Sequence, residues 1–214
     1  MVLRVRPERG EIRLTIPLRA RPDDAQAFLD EKTLWIEAQL ANAKATVSVE
    51  IGGLVPLRGE PHRIVLGKGI PGIAWTEPGS HDAPPSLVIK GDENTVARRV
   101  ERFFKREARE DLEKAVARYA GLLAVRPARI NLRDTRSRWG SCSTSGNLSF
   151  SWRLIMAPPF VLDYVAAHEV AHLREMNHGP RFWAHVADIC PEMEKAKRWL
   201  KKDGASLQRI IFWV

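Results

Sequence analysis

His168-Glu169-Val170-Ala171-His172, followed by His178, is the stretch on which the reading of this 214-residue chain turns. On a helix, side chains at i and i+4 stand one above the other, so His168 and His172 can grip one metal ion from a single turn. Glu169 lies about 100° around the helix from His168, beside that ion, where a carboxylate can take a proton from water. Imidazole ligands, an open coordination position and a non-ligating Glu as general base are the working parts of a zinc hydrolase. Three of the six histidines crowd into this stretch, which an amphipathic surface helix does not require.

Two imidazoles leave such a site one protein ligand short of the usual three. Three residues nearby are candidates, in the order His178, Glu175, His185. His178 stands between Met176-Asn177 and Gly179-Pro180, a stretch that reads as the end of one helix and the start of another. A chain that turns there can bring His178 over the metal from a new direction. Glu175 follows His172 on the same side and cannot easily close a tetrahedron. His185 reads more simply as a polar or half-buried helix position.

Hydrophobic residues make up 44% of the chain and there are seven Trp, enough for a folded core. The N-terminal MVLRVRPERGEIRLTIPLRA has no continuous apolar stretch and is not expected to be a signal peptide, and no membrane span is expected. Cys142 and Cys190 form no CxxC pair, and they read as buried or semi-buried thiols in a reducing cytoplasm. The net charge of +8 is uneven. Arginines 126, 129, 133, 136, 138 and 153 accompany the single acid Asp134, and Lys195, Lys197, Arg198, Lys201 and Lys202 follow the motif. Either these blocks are a solvated face, or they set up a positive field that draws phosphate-rich or acidic partners, a nucleotide or nucleic acid among them.

Outward from the motif, Pro158-Pro159 opens its helix, with Val161, Leu162, Val165, Ala166 and Val170 directed to the core. Residues 129–133 and 147–152 read as the two strands of a hairpin, with Gly140 and Gly146 at turns. The returning strand is expected to hold an extended peptide by backbone pairing. Further helices are expected over 181–189 and from Pro191 to about Lys202. A long helix is expected from Asp92 to about Leu123 on the stripe Val96, Val100, Phe103, Phe104, Ala108, Leu112, Val116, Tyr119 and Leu123. Upstream, 11–18 alternates as a strand, 23–43 reads as a helix and 47–89 as strands and turns, with His81 in an incidental loop. The apolar end 210–214 is expected to pack on the core.

Ser137-Arg138-Trp139-Gly140-Ser141-Cys142-Ser143, Gly146-Asn147-Leu148, Asp163-Tyr164-Val165 and HEVAHLREMNHGPRFW (168–183) together resemble the YgjP-like metal-dependent hydrolases, zincin-type metallopeptidases related to the SprT-like and WLM-type proteases. The resemblance implies that His168, His172 and His178 hold the metal and that Glu169 is catalytic. The expected fold is α+β: a zincin-like core with the motif helix beside a small antiparallel sheet over 92–214, preceded by a strand-rich region with one helix over 1–91. The expected activity is that of a zinc-dependent peptidase acting on peptide or protein through a zinc-bound water activated by Glu169. The alternatives are a nucleotide phosphoanhydride hydrolase, suggested by the arginines, and a nucleic-acid-associated protein or protease. Arg138 and Trp139 are candidate substrate-binding residues, an anion or oxyanion ligand and a subsite wall. The same segment equally fits a tight turn anchored by a buried indole.

Overall fold

The computed structural model describes residues 1–6, 11–41, 46–68 and 74–212. Two compact units divide the chain, Met1–Val47 and Ser48–Val214. In the first, strands β1 (Val2–Arg6) and β2 (Glu11–Thr15) pair antiparallel, and helix α1 (Pro22–Ala41) follows with Asp23 and Asp24 in its first turn, where the helix dipole favours acids. A two-residue strand β3 (Val47–Ser48) spans the junction.

The second unit begins with a four-stranded sheet of β4 (Leu54–Leu57), β5 (Glu60–Gly67), β6 (Ala74–Glu77) and β7 (Ser86–Lys90), in the order β4-β5-β7-β6. Only β5 and β7 run parallel. Its buried Val55, Leu57, Ile64, Leu87 and Ile89 share one core with Val100, Phe104 and Leu112 of helix α2 (Val96–Leu122). A boundary between 91 and 92 would cut through that core. The division falls at Val47 instead.

Helix α2 buries the stripe read from its 3.6-residue period. It starts at Val96 rather than Asp92, because a 3-10 turn over Glu93–Thr95 comes first. It ends where Ala124 takes a φ of +50°, and the Arg174 guanidinium donates to the Leu123 carbonyl there. The two-residue turn Arg58-Gly59 joins β4 to β5 with φ of 51° and 83°. Such a turn needs left-handed backbone at both positions. Its tip docks on a second 3-10 turn, Trp152–Met156, where Arg58 N–H donates to Ile155 O at 2.7 Å. The Arg58 side chain pairs with Asp111 of α2 at 2.7 Å.

The region 129–152 departs from the expected hairpin. Strand β8 (Arg129–Arg133) pairs parallel with β10 (Asn147–Ser151), and β9 (Gly140–Cys142) pairs antiparallel with β10, in the order β8-β10-β9. Two runs with strand composition but no two-residue connector are free to pair in either sense, and the crossover between them itself supplies a strand. The sheet is therefore mixed, β10 is its centre, and the edge lying beside the motif helix is β9.

Helix α3 (Pro159–Ala171) carries the motif and packs against α2, β9, α4 (Pro180–Ile189) and α5 (Met193–Leu207). Enclosed in this way, it is apolar nearly all round, with Val161, Ala166, Ala167, Val170 and Ala171 fully buried. Helix α5 runs past Lys202. At Gly204 an added Cβ would meet the Trp139 ring at 3.4 Å, so the indole packs where a side chain would stand. A short strand β11 (Ile210–Ile211) follows, and Phe212 packs edge-on to Trp152 at 5.0 Å. Trp213 and Val214 lie outside the described residues.

Arg153 holds this end of the chain together. It is 1% exposed, its Nε donates to Asp134 Oδ1 at 2.6 Å, and its Nη1 donates to the carbonyls of Leu207 and Ile210 at 2.8 and 2.9 Å. Arg153→Met removes the donors from buried carbonyls as well as the ion pair. It is expected to lower the unfolding free energy by about 3 kcal/mol, read by urea denaturation. A loss below about 1 kcal/mol would place this side chain among the interchangeable ones.

Candidate metal centre

His168 and Glu169 lie in the last turn of α3 and His172 is its C-cap residue. The chain then leaves the helix, and Arg174 N–H and Glu175 N–H both donate to Ala171 O. His178 stands in the following turn, just before Gly179 and Pro180 open α4. That turn brings one nitrogen from each of His168, His172 and His178 within 4.8 Å of one another. His168 Nε2 and His178 Nε2 are 3.1 Å apart.

The imidazoles are prepared as lone-pair donors. Burial, reinforced by the neighbouring His172 and His178, pushes His168 down to about 4. Burial likewise lowers His172. Neutral rings at pH 7 are what metal ligation requires. His172 Nδ1 faces the Glu175 carbonyl at 3.1 Å; because a carbonyl only accepts, Nδ1 carries the proton and Nε2 the lone pair. Phe182, fully buried, forms a common wall, with ring centroids 4.9 Å from His168, 4.4 Å from His172 and 4.7 Å from His178. Three convergent imidazoles on an apolar wall fit a divalent borderline metal such as zinc.

Of the other two candidates for third ligand, Glu175 contributes its backbone carbonyl to His172, and its carboxylate is 3.9 Å from Arg181. His185 lies on α4. Neither joins the group of converging ligand atoms, which among the described residues consists of the three histidines.

Glu169 is 5% exposed. Burial pushes its carboxyl up to about 7, with the Arg138 guanidinium pulling the other way. Gly140, expected at a turn, lies in β9 directly against this carboxylate. A Cβ at that position would sit 2.6 Å from Glu169 Cγ and 2.8 Å from Cδ, and would collide with Oε1. The neighbouring Cys142 thiol is half-buried and Cys190 is buried; both are free.

Arg138 is exposed beside the site, and Trp139 is half-buried against Gly204 of α5. The Thr135–Arg138 loop is fastened to α5 through Gln208 Nε2, which donates to Thr135 O at 3.2 Å. The arginine cluster divides by role: Arg153 is internal, whereas Arg126, Arg129, Arg133, Arg136 and Arg138 face solvent. Phe182 and Gly140 were within reach of the sequence as residues, but no spacing rule assigns them these contacts. A glycine between Trp139 and Ser141 was the one available signal.

Three histidines and a buried carboxylate on and after one helix, beside a sheet edge, define a metal-dependent hydrolase. Residues 1–203 match the family described as YgjP-like, metallopeptidase domain, and the chain belongs to that family. No curated protein matches it. Among solved structures it is similar to the metallopeptidase zymogen abylysin of Pyrococcus abyssi, at 20% identity and a TM-score of 0.39 over 44% of this chain and 95% of that one. It is similar also to the metallopeptidase zymogen jannalysin of Methanocaldococcus jannaschii, at 20% identity and a TM-score of 0.36 over 43% of this chain and 90% of that one. Among the described residues no helix is long and apolar enough to cross a membrane.

Gly140→Ala forces the Glu169 carboxylate from its seat without touching a histidine. It is expected to lower hydrolytic turnover at least tenfold, with metal content unchanged by elemental mass spectrometry. Full turnover in that variant would mean that the close approach of β9 does not hold the carboxylate.

Proposed function

We propose that this protein is a zinc-dependent peptidase in which His168, His172 and His178 hold the metal and Glu169 is the general base. The observation that carries this reading is the convergence of three histidine nitrogens next to a buried carboxylate whose pKa is raised to about 7. Zinc in that position supplies a Lewis acid that polarises a carbonyl and makes water more acidic. Glu169 accepts the proton of the attacking water on a carboxylate oxygen and returns it to the leaving amine nitrogen. A carboxyl that titrates near neutrality serves both halves of that exchange. Phe182 keeps water off the back of the imidazoles.

The peptide lies along β9. That strand is an edge of its sheet and borders Glu169 at Gly140, so an extended substrate paired to it by backbone hydrogen bonds would bring a scissile carbonyl to the base. The role expected for 147–152 passes to this strand, because β10 is paired on both sides. Arg138, exposed at the head of β9, is placed for an anionic group of the substrate or for the developing oxyanion. Trp139 offers part of its ring as a wall while its other contacts anchor α5. The two unpaired cysteines fit a reducing cytoplasm.

Glu169→Gln is expected to retain zinc by elemental mass spectrometry and to lose turnover of an unstructured protein substrate by about a thousandfold or more. His178→Ala is expected to lose the metal itself. Retained turnover in Glu169→Gln would remove the general-base assignment. Hydrolysis of nucleoside triphosphates with no proteolysis would replace the peptide by a phosphoanhydride.

A further inference from the structure

We propose that Trp183, latched by Lys197, is the positioning residue that fixes the ring of His178 and thereby sets how tightly the metal is held. This rests on the three-histidine reading above. The three imidazoles are not restrained alike. His172 is 9% exposed and its Nδ1 is tied to the Glu175 carbonyl at 3.1 Å. His168 is confined among the rings of Tyr164, Phe182 and Trp183, with centroids at 5.8, 4.9 and 5.8 Å, the indole meeting it tilted at 58° rather than stacked. His178 is exposed and sits in a turn rather than in a helix. Its ring's one hydrogen-bonding contact among the described residues is His168 Nε2 at 3.1 Å. Once both nitrogens present lone pairs to a metal, that contact offers no restraint.

What orients His178 is therefore ring packing. Phe182 meets it edge-on at 4.7 Å and 75°, but Phe182 touches all three histidines alike. Trp183 stacks on it at 5.6 Å with 29° between the ring planes. Trp183 is itself only half-buried, so it needs a restraint of its own. Lys197 provides one: its Nζ stands 4.0 Å from the indole centroid, well within cation–π range, and is held by Glu194 Oε1 at 2.8 Å. A relay Glu194–Lys197–Trp183–His178 thus runs from α5 through α4 to the turn. A ligand ring already held in its binding orientation loses less freedom when the metal arrives, and affinity rises accordingly.

The test uses the purified full-length chain. Zinc dissociation constants are read by competition with a chromogenic chelator, and ligand geometry from the visible absorption of the Co(II)-loaded protein. Trp183→Ala is expected to weaken zinc binding about 10- to 100-fold and to move the Co(II) bands toward those of His178→Ala. Trp183→Phe, which keeps an aromatic face, restores most of the affinity, and Lys197→Met gives a smaller loss with the same spectral direction. Wild-type affinity and spectrum in Trp183→Ala, with both altered in His178→Ala, would overturn the positioning role and leave the three-histidine site standing. Unchanged zinc affinity in His178→Ala would instead bring down the site reading and this proposal with it. If Trp183→Ala does not fold, Lys197→Met decides: unaltered affinity there overturns the latch.

Discussion

The close approach of the Glu169 carboxylate to the backbone of Gly140 is the constraint around which the second unit is arranged. A carboxyl kept from water must be given space by its neighbours and must be met by few compensating charges if its pKa is to rise toward neutrality and its carboxylate is to accept a proton more readily. Glycine gives that space from the strand side, and the exposed Arg138 gives only a partial opposing charge. To bring β9 this close, α3 must be packed on every side, and it is: α2, α4, α5 and the mixed sheet all lie against it. The apolar wrap of α3 is thus a consequence of where its carboxylate has to be.

Charge does different work on the two sides of the chain's arginine block. Arg153, buried, and Arg174, at the surface, donate to the carbonyls that end α5 and α2, where a guanidinium satisfies carbonyls left without helical partners. Arg58 ties a left-handed turn to Asp111 of α2 through its side chain and to Ile155, in the 3-10 turn ahead of the motif helix, through its backbone N–H. The set at 126–138 is exposed to solvent. Net charge alone overstates the basic surface, since some of the arginines are structural pins.

The long-period features were legible. The α2 stripe, the paired prolines opening α3 and the break before His178 each rest on a local rule of helix geometry, and the described residues follow them closely. The convergence of His178 with His168 and His172 was legible too, because the intervening segment is short and Gly179-Pro180 mark the restart of a helix just after it. The sheet was not. Whether 129–133 runs with or against 147–151 depends on the path of the crossover, and alternation within each strand carries no information on that path. The unit boundary escaped for a similar reason: apolar positions in 54–89 say that they are buried, but not against what. Trp139 and Trp183 were visible as aromatic residues near the motif, yet their partners Gly204 and Lys197 lie on α5, beyond the reach of any spacing argument.

The proposed metal-binding triad and the proposed catalytic carboxylate differ in how they are assembled. His168, His172 and His178 are near neighbours in the chain, so a disordered chain retains a chelating segment and competes for the same ion as the native fold. Metal should accordingly stabilise the folded state by less than its affinity suggests. Glu169, the proposed base, is seated only when β9 arrives from a separate part of the sequence. A population can therefore be fully metallated and catalytically silent, and ion content is a measure of loading rather than of correct assembly.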